Sequence, residues 1–406
     1  MMRIFLLLLT VGYLTSPASG TDWPQWLGPN RNGISDETGL ATDWPKSGPK
    51  VLWRTPLGEG FSAISVVGNL AYTMFADGST EYAICLDAST GKERWRVQTG
   101  SKFYDSQGGN GPRSTPSVDG NSVFVLGAEG RLFALDKETG KERWSHSFTK
   151  EYGSRIPGWG FSTSPLIEGD LLLVEVGGPS GKSLIAFDKT TGQIVWSSQS
   201  DRPSYAAPLA VTMEGTRQII FFPATGLVSV SPEKGTLLWR HRWQTGPNVN
   251  AATPVFVPPN QIFISSGYGK GATLLTLKQD NGRFRVQEAW RSKVMKNHFA
   301  SSILHNGYLY GFDDSILKCI DAKTGEEQWR KRGFRKGALI FAEGHLIILG
   351  GQGLLALAKA TPEGYQEKTS ARVLSGRCWT VPTLANGKLY LRNLKEAICL
   401  DLTQKN

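Results

Sequence analysis

No long stretch of the sequence has apolar residues at the spacing of an amphipathic helix, and the apolar residues occur instead in short runs. Cysteine is scarce, with four copies that never stand side by side. No Cys-x-x-Cys-His segment is present, which excludes covalent attachment of a c-type haem. No cysteine lies near residue 20, which excludes lipid attachment at the end of the leader described below. Glycine and tryptophan are abundant, with 47 and 13 copies, and they indicate a turn-rich β protein.

The first twenty residues have the features of a secretory leader. A short basic start is followed by the apolar run Ile4–Leu9 and by small residues at Ala18, Ser19 and Gly20. This pattern predicts a signal peptide over residues 1–20, cleaved after Gly20, because the run is too short to span a membrane. We therefore expect a periplasmic or secreted protein without a transmembrane segment. The formal charge of +10 permits acidic partners, but export disfavours nucleic acid.

One segment recurs along the chain. Leu132–Trp144 reads LFALDKETGKERW, close copies span 83–95, 184–196 and 317–329, and looser copies span 227–239 and 274–290. Each close copy starts with strand-forming residues, turns at Asp-x-x-Thr-Gly and returns to a tryptophan, as a β-hairpin does, and the looser copies keep the glycine and the tryptophan. Successive copies of this tryptophan stand 39 to 52 residues apart. Such a period predicts the four-stranded blades of a β-propeller.

The repeat count predicts an all-β, eight-bladed propeller of four-stranded blades. The chain ends on half a unit, Ala397–Leu402, and the other half lies at Val51–Arg54. A strand near the start should therefore complete the last blade, leaving only short, protected sheet edges. The seventh blade has lost both the Asp turn and the Trp. The predicted limits are 59–100, 112–148, 159–200, 204–243, 249–292, 297–332, 334–374, and 376–402 completed by 50–58, within one domain over 50–402 and before a tail at 403–406.

Residues 21–49 precede the ring and carry three tryptophans and four prolines without a strand pattern. We expect an ordered, irregular segment, with Trp23, Trp26 and Trp44 packed on the outside of the propeller or across one face. A detachable recognition arm is the alternative.

Three of the four cysteines occupy one repeat position. Cys85, Cys319 and Cys399 stand where other copies carry alanine or serine, so we interpret them as small core residues. Cys85 and Cys399 belong to the first and last blades, but equivalent strands of adjacent blades usually lie too far apart for a disulfide. Cys378 has no evident mate.

The repeat resembles the PQQ-like repeat of the quinoprotein propellers, through the Ala-x-Asp-x-x-Thr-Gly-x-x-x-Trp signature over residues 50–402. Within that group the chain is most similar to exported, cofactor-free propellers related to BamB. The opening WPQWLGPNRNG also resembles the lead-in of secreted PQQ-like proteins of planctomycete-type bacteria. The chain differs from BamB in lacking a lipid-bearing cysteine and from the PQQ dehydrogenases in lacking their adjacent cysteine pair. The resemblance therefore implies a binding or scaffold protein without PQQ or another cofactor.

The usual functional site of a propeller is one mouth of its channel, formed by loops that lead into the innermost strands. Those positions depart from the repeat and carry aromatic, basic and amide side chains, which suit an anionic or planar ligand. A solvated rim without a ligand is the alternative. No carboxylate joins the set, so general acid–base catalysis lacks a partner, and we predict neither catalytic residues nor a metal site. The predicted mouth residues are Phe61, Arg113, Trp159, Phe161, Tyr205, Asn250, His298, Arg335, Lys336, Arg377 and Trp379.

Ring closure should bring Arg113, Lys336 and Arg377 into one cationic sector of this mouth. We expect replacement of Arg113 and Arg377 by Ala to weaken ligand binding without changing the melting temperature, because rim charges contribute little to folding. The recurring turn aspartates are interpreted as structural instead, since a ring of identical catalytic sites is implausible. They are Asp87, Asp136, Asp188 and Asp321.

The sequence as a whole predicts a monomeric, exported, non-catalytic propeller that binds an envelope protein or an anionic ligand. A PQQ-dependent oxidoreductase is one alternative. An anionic-glycan-binding accessory protein is the other, favoured by the basic run Arg330–Arg332 together with Arg335 and Lys336.

Overall fold

The computed structural model describes residues 21–404, so the predicted signal peptide and the last two residues lie outside the described range. The first half of the chain forms β1 (Ile34–Ser35), β2 (Lys50–Pro56), β3 (Ser65–Val67), β4 (Leu70–Asp77), β5 (Thr80–Asp87), β6 (Glu93–Ser101), β7 (Ser117–Asp119), β8 (Ser122–Leu126), β9 (Arg131–Asp136), β10 (Glu142–Ser147), the helix α1 (Phe148–Tyr152), β11 (Leu166–Glu168), β12 (Leu171–Glu175), β13 (Leu184–Asp188), β14 (Ile194–Ser198), β15 (Leu209–Met213), β16 (Thr216–Phe221), β17 (Gly226–Val230) and β18 (Leu237–Arg242).

The second half continues with β19 (Val255–Val257), β20 (Gln261–Ser266), β21 (Gly271–Asp280), β22 (Arg283–Ser292), β23 (Ile303–His305), β24 (Tyr308–Asp313), β25 (Ile316–Asp321), β26 (Glu327–Lys331), β27 (Ala338–Ala342), β28 (His345–Leu349), β29 (Leu354–Lys359), β30 (Gln366–Arg372), β31 (Thr383–Ala385), β32 (Lys388–Arg392) and β33 (Glu396–Asp401).

These strands form eight sheets, which confirms the predicted eight-bladed propeller. Seven blades use four consecutive strands each, from β3–β6 to β27–β30. The eighth has the order β2-β33-β32-β31, so a strand from the start of the chain completes it, as predicted. Blade 7, whose repeat had decayed, is present and gains the two-residue strand β1 as a fifth member. First strands of neighbouring blades contact each other around much of the ring, since β3 contacts β7 and β31, β7 contacts β11, and β23 contacts β19 and β27, which places these strands next to the central axis.

The Asp-x-x-Thr-Gly turn closes the hairpin between the third and fourth strands of a blade. In blade 1, Oδ1 of Asp87 accepts backbone N–H bonds from Ser89 and Thr90 at 3.0 and 2.9 Å. Hydrogen bonds from the hydroxyl and N–H groups of these two residues hold the pKa of Asp87 at about 2. Asp136, Asp188 and Asp321 accept the same pair of N–H bonds. The turn aspartates therefore have a structural role.

Within residues 21–404 the repeated tryptophan joins six of the eight blades to the next blade, an arrangement called here the indole clasp. The indole N–H of Trp53 donates to the carbonyl of Ala88 at 3.0 Å, and that of Trp95 to the carbonyl of Lys137 at 2.9 Å. The turn glycine of the next blade lies under the ring, and a Cβ on Gly91 would stand 2.6 Å from Trp53 Cδ2. Gly91 also has a φ of +70°, which favours glycine. Equivalent clasps start from Trp144, Trp196, Trp290 and Trp329.

Residues 21–49, called here the strap, run across one end of the channel. Trp23 exchanges two backbone hydrogen bonds of 2.8 Å with Val66 of β3, and the carbonyl of Pro24 accepts from Val118 of β7 at 2.9 Å. β1 then pairs in parallel with β27, the innermost strand of blade 7. Trp23 and Trp44 are buried. The strap thus packs across one face of the ring, which was one of the two packing arrangements expected for it.

The strap ends at the closure of the ring. The carboxylate of Glu37 accepts N–H bonds of 2.6 Å from Asn386 and Gly387, at the turn that follows β31. Leu40 forms a bridge with Thr403. All four cysteines are buried and free, and no helix within residues 21–404 is long and apolar enough to cross a membrane.

A buried acid between blades 3 and 4 predicts a pH dependence of stability. Glu175, at the end of β12, is 1% exposed, and one of its oxygens accepts from the N–H of Ser204 at 2.9 Å. Its other oxygen has no hydrogen-bond partner in the described part of the chain. Burial raises the pKa of Glu175 from 4.5 to about 8. Between about pH 4.5 and pH 8 the unfolded chain is ionised while the folded protein keeps the proton, so stability should fall as the pH rises.

We expect Glu175→Gln to raise the melting temperature at pH 8 and to flatten its fall between pH 5 and 8. Each pKa unit corresponds to about 1.4 kcal/mol, so a gain of several degrees is expected. Thermal unfolding followed by circular dichroism across this pH range measures the effect. The exposed Glu233→Gln is the matched control and should leave the curve unchanged. Parallel curves for wild type and Glu175→Gln would contradict the prediction.

Candidate functional site

The predicted mouth exists as a cavity of about 160 Å³ at the end of the channel opposite the strap. Its walls come from the connections that enter the innermost strands, as the repeat pattern indicated. Small residues such as Ser164, Ala207 and Ala251 leave the space between larger side chains. Six of the predicted residues line it: Phe61, Arg113, Trp159, Tyr205, His298 and Trp379.

Seven rings surround this cavity in a continuous series, called here the aromatic belt. Its consecutive members are Phe61, Trp379, Phe299, His298, Tyr268, Trp159 and Tyr205. The centroids of successive rings are 5.9, 5.2, 5.8, 5.0, 6.5 and 5.7 Å apart. These distances lie in the range in which aromatic pairs attract each other. Since each ring holds its neighbours, the belt presents a preformed apolar wall to a ligand.

Two tryptophans of the belt differ from the clasp tryptophans in their hydrogen bonding. The indole N–H groups of the clasp donate to protein carbonyls, whereas those of Trp159 and Trp379 donate to no protein atom within residues 21–404. Both side chains are half-buried and both line the cavity. A bound molecule with hydrogen-bond acceptors would therefore meet two free donors.

Arg113 is held in an ion pair beneath the mouth. One of its terminal nitrogens donates to Asp105 Oδ2 at 2.9 Å and to the carbonyl of Gly109 at 2.7 Å. The Arg113 and Asp105 side chains are only 13% and 8% exposed. Burial lowers the pKa of Arg113, although the Asp105 carboxylate opposes that shift. Asp105 does not line the cavity, but its carboxylate, which the sequence did not indicate, pairs with Arg113, so the charge of Arg113 is compensated.

The other predicted cations are placed differently. Arg377 lies over the ring of Trp379, with Cζ 4.4 Å from the centroid, and donates to the carbonyl of Gly108 at 2.6 Å. It has no acidic partner among the described residues. Lys336 pairs with Asp314 at 3.0 Å, and Arg335 is exposed outside the cavity. Of the expected cationic sector, Arg377 alone keeps an uncompensated charge beside the belt.

Two predicted mouth residues lie in the core instead. Phe161 is 1% exposed and packs edge-on against Phe148 at 5.4 Å. Asn250 is fully buried, and its side chain bonds to Pro223, Trp243 and Ser266. Neither lines the cavity, because successive side chains of a connection that enters an inner strand point alternately into the channel and into the interior of the blades. For the residues that do line it, binding remains a prediction.

His298 is a neutral member of the belt. Burial is the main cause that lowers its pKa, and the nearby Lys336 adds to the effect. Its Nδ1 atom is enclosed and has no hydrogen-bond partner. At neutral pH the ring therefore contributes a planar surface and no charge.

Sequence reasoning missed three aromatic residues of the cavity lining and the carboxylate of Asp105 beside it. Trp26 of the strap reaches the cavity and donates to Thr253 Oγ1 at 2.9 Å. Tyr268 lies in the glycine-rich turn after β20, and its sequence GYGKG was a usable signal. Phe299 follows His298 directly. Asp105 lies in the 102–116 connection, whose unusual length was the other available signal.

The described residues hold no group of three His, Cys, Asp or Glu side chains placed to bind a metal ion. Near the cavity the carboxylate of Asp105 is engaged by Arg113. The arrangement is suited to hold a planar, apolar group and to donate hydrogen bonds at its edge.

Comparison with known proteins supports the same fold. The family model described as outer membrane protein assembly factor BamB matches residues 84–331. The crystal structure of BamB from Moraxella catarrhalis superposes with a TM-score of 0.62 and 18% identity, covering 88% of this chain and 98% of that one. No curated protein sequence matches the chain.

Other solved propellers are similar as well. A quinohemoprotein alcohol dehydrogenase from Comamonas testosteroni gives a TM-score of 0.64 at 12% identity, covering 95% of this chain and 81% of that one. The computationally designed Ika8 protein gives 0.58 at 12% identity, covering 87% and 100%. At these identities the comparison shows that the fold is shared, and it says nothing about activity.

Proposed function

We propose a function for this chain from one premise: it belongs to the family described as outer membrane protein assembly factor BamB, whose model matches residues 84–331 of 406. The proposed function is that of an exported, non-catalytic propeller of the cell envelope, which binds a partner protein. The observation that carries it is the aromatic belt around an open, preformed cavity.

The cavity favours one planar group with an acceptor beside it. Its volume of about 160 Å³ is close to that of an engineered cavity of roughly 150 Å³ that binds benzene. A single aromatic side chain of a partner would therefore fill it, stacking on the belt. The free indole N–H groups and Arg377 would then meet a carboxylate or carbonyl next to that side chain.

A quinone-dependent dehydrogenase is the alternative class that the resemblance allows. The residues present do not fit it. The four cysteines of the chain are separated in sequence, so the adjacent pair of the PQQ dehydrogenases has no counterpart. Asp105 is held by Arg113, and the cavity accommodates about one ring where PQQ has three. We therefore derive no step through this cofactor.

The proposal is tested by retention of envelope proteins on the immobilised protein. A partner captured by wild type from the native envelope fraction should be identified, produced pure and titrated against variants by calorimetry. We expect Trp159→Ala to weaken its binding at least about 10-fold, equivalent to about 1.4 kcal/mol. Arg377→Ala should weaken it less and should reduce the salt dependence, because part of the attraction is Coulombic.

Tyr104→Ala is the matched control, since Tyr104 is 66% exposed and lies outside the cavity lining. It should bind like wild type. Added PQQ with Ca²⁺ should neither bind stoichiometrically nor support oxidation of alcohols or sugars. A sulfated polysaccharide bound with Arg377-dependent affinity, in place of any protein, would favour the glycan-binding alternative. Full binding of the partner by Trp159→Ala would exclude the mouth as the site.

A further inference from the structure

A second cavity, called here the lower cleft, lies at the strap end of the channel. It has a volume of about 610 Å³, within the range of about 300–1,000 Å³ typical of ligand clefts. One wall is the strap, and the other is formed by the innermost strands of blades 3 to 6. The aromatic belt and the lower cleft are therefore separate sites at opposite ends of the channel.

The strap covers the innermost strands of blades 7, 8, 1 and 2 more closely than those of blades 3 to 6. It hydrogen-bonds to β3, β7 and β27 and to the turn after β31, whereas its bonds toward blades 3 and 5 within residues 21–404 come from the side chains of Arg31 and Trp26. Accordingly β27 and β31 are wholly buried. On the uncovered side all of β19 is half-buried, and within β15 Ala210 is half-buried and Thr212 is exposed. These strands face the lower cleft with open surface.

The uncovered strands also keep a free backbone edge. β15 and β19 are the terminal strands of their sheets, so among residues 21–404 the edge that faces the axis has no strand partner. The same edge of β27 accepts β1 as a parallel strand, with Ile34 opposite Phe341 and Ser35 opposite Ala342. β15 is as long as β27, at five residues. On blade 7 a strand therefore pairs with the axis-facing edge of the sheet, and the same kind of pairing is possible at β15 of blade 4.

The lower cleft carries one uncompensated positive charge. Arg31 of the strap is 3% exposed, and its guanidinium bonds to the carbonyls of Ser164 and Pro165 and to Gln25 Oε1. Its Nε atom has no partner, and no carboxylate pairs with it among residues 21–404. Burial lowers the pKa of Arg31 to about 9. The other cation of the lining, Arg217, is neutralised by a two-bond pair with Glu168.

We propose that the lower cleft binds an extended, acidic segment of a partner protein, which adds a strand to the free edge of β15 and brings a carboxylate close to Arg31. Main-chain hydrogen bonds to the sheet edge supply affinity, as in other cases of strand addition. The buried guanidinium supplies the preference for acidic sequences. This site acts independently of the aromatic belt.

Three peptides that carry fluorescein on the N-terminal amine test the proposal on the full-length mature protein: VTVEVTV-amide, its Lys counterpart VTVKVTV-amide, and VPVEVPV-amide, which lacks two backbone donors. The Glu peptide should bind, with an affinity that falls as salt rises. The other two should bind at least about 10-fold more weakly. Hydrogen exchange of the backbone amides of Leu209–Met213 should slow when the Glu peptide binds.

Two substitutions on blade 4 locate the binding. Thr212→Trp fills the lower cleft from an exposed position and should weaken the Glu peptide at least about 10-fold. Thr236→Trp, exposed on the same blade but away from the cleft, should not change it. Trp159→Ala in the belt should also leave it unchanged. Equal binding of the Glu and Lys peptides, undiminished binding to Thr212→Trp, or no binding of the Glu peptide at about 1 mM would overturn the proposal.

Discussion

A chain that begins at residue 57 should aggregate or melt far below one that begins at residue 21. Deleting residues 21–56 removes β2, which is the outer strand of blade 8, together with the whole strap. Within the deleted segment, Trp53 is 7% exposed and donates its indole N–H to the carbonyl of Ala88 in blade 1. Loss of one buried Trp costs about 3–5 kcal/mol. That is a large share of a total stability of about 5–15 kcal/mol.

Two smaller changes separate the closure from the strap. Trp53→Ala keeps the strap and should still lower the melting temperature strongly, while Val51→Ala on the same strand, 41% exposed, should not. Deletion of residues 21–49 keeps β2 and the clasp of Trp53 but removes the buried Trp23 and Trp44. Its melting temperature should therefore lie between those of wild type and of the 21–56 deletion. Calorimetry and light scattering measure these effects. An unchanged melting temperature for Trp53→Ala would show that the closure contributes nothing to stability.

Arg113→Ala should destabilise the protein by about 3 kcal/mol, because it leaves the Asp105 carboxylate buried without its cation. This outcome differs from the sequence-based expectation of an unchanged melting temperature, which treated Arg113 as an exposed rim charge. The structure places it 13% exposed, between Asp105, two backbone carbonyls and the ring of Phe61 at 5.4 Å. The loop that contains Gly108, on which Arg377 rests, should loosen with it.

A double-mutant cycle tests the origin of this effect. Asp105→Asn with Arg113→Ala should be less destabilised than the sum of the single variants, by at least about 1 kcal/mol, because the two groups interact directly. Arg285→Ala is the control, since Arg285 and Asp280 form a pair that is 80% and 58% exposed. Its removal should cost almost nothing. Additive single effects at Asp105 and Arg113 would contradict the pairing.

The fold could be predicted from the sequence because the repeat encodes both a local and a neighbouring contact. In the four blades that carry the Asp-x-x-Thr-Gly turn, bonds within four residues fix the hairpin, as at Asp87. The tryptophan and the turn glycine then join adjacent blades. The path of the strap was not predictable in detail, because its bonds to β3, β7 and β27 connect residues far apart in sequence.

The candidate site was predictable in position but not in chemistry. Knowing that inner-strand connections form the mouth was enough to identify Phe61, Trp159 and Trp379. It did not reveal that Asn250 points into the core, because that depends on the local path of its connection. Nor did it reveal Asp105, whose partner is fixed by the fold of a long loop. Residue type indicated an anionic ligand, whereas the paired charges leave a mainly apolar, aromatic site.

The indole clasp also indicates where the chain is free to change its length. Trp239 of blade 4 donates within its own blade, to Gln218 at 2.6 Å, so no ring from blade 4 lies over the hairpin turn of blade 5. A Cβ on Gly282 in that turn would meet nothing within 4 Å. This hairpin, β21–β22, has ten-residue strands, the longest of the propeller within the described chain. Because no ring of the preceding blade covers this turn, the clasp does not limit the length of the hairpin, and its strands extend further from the axis than those of the clasped hairpins.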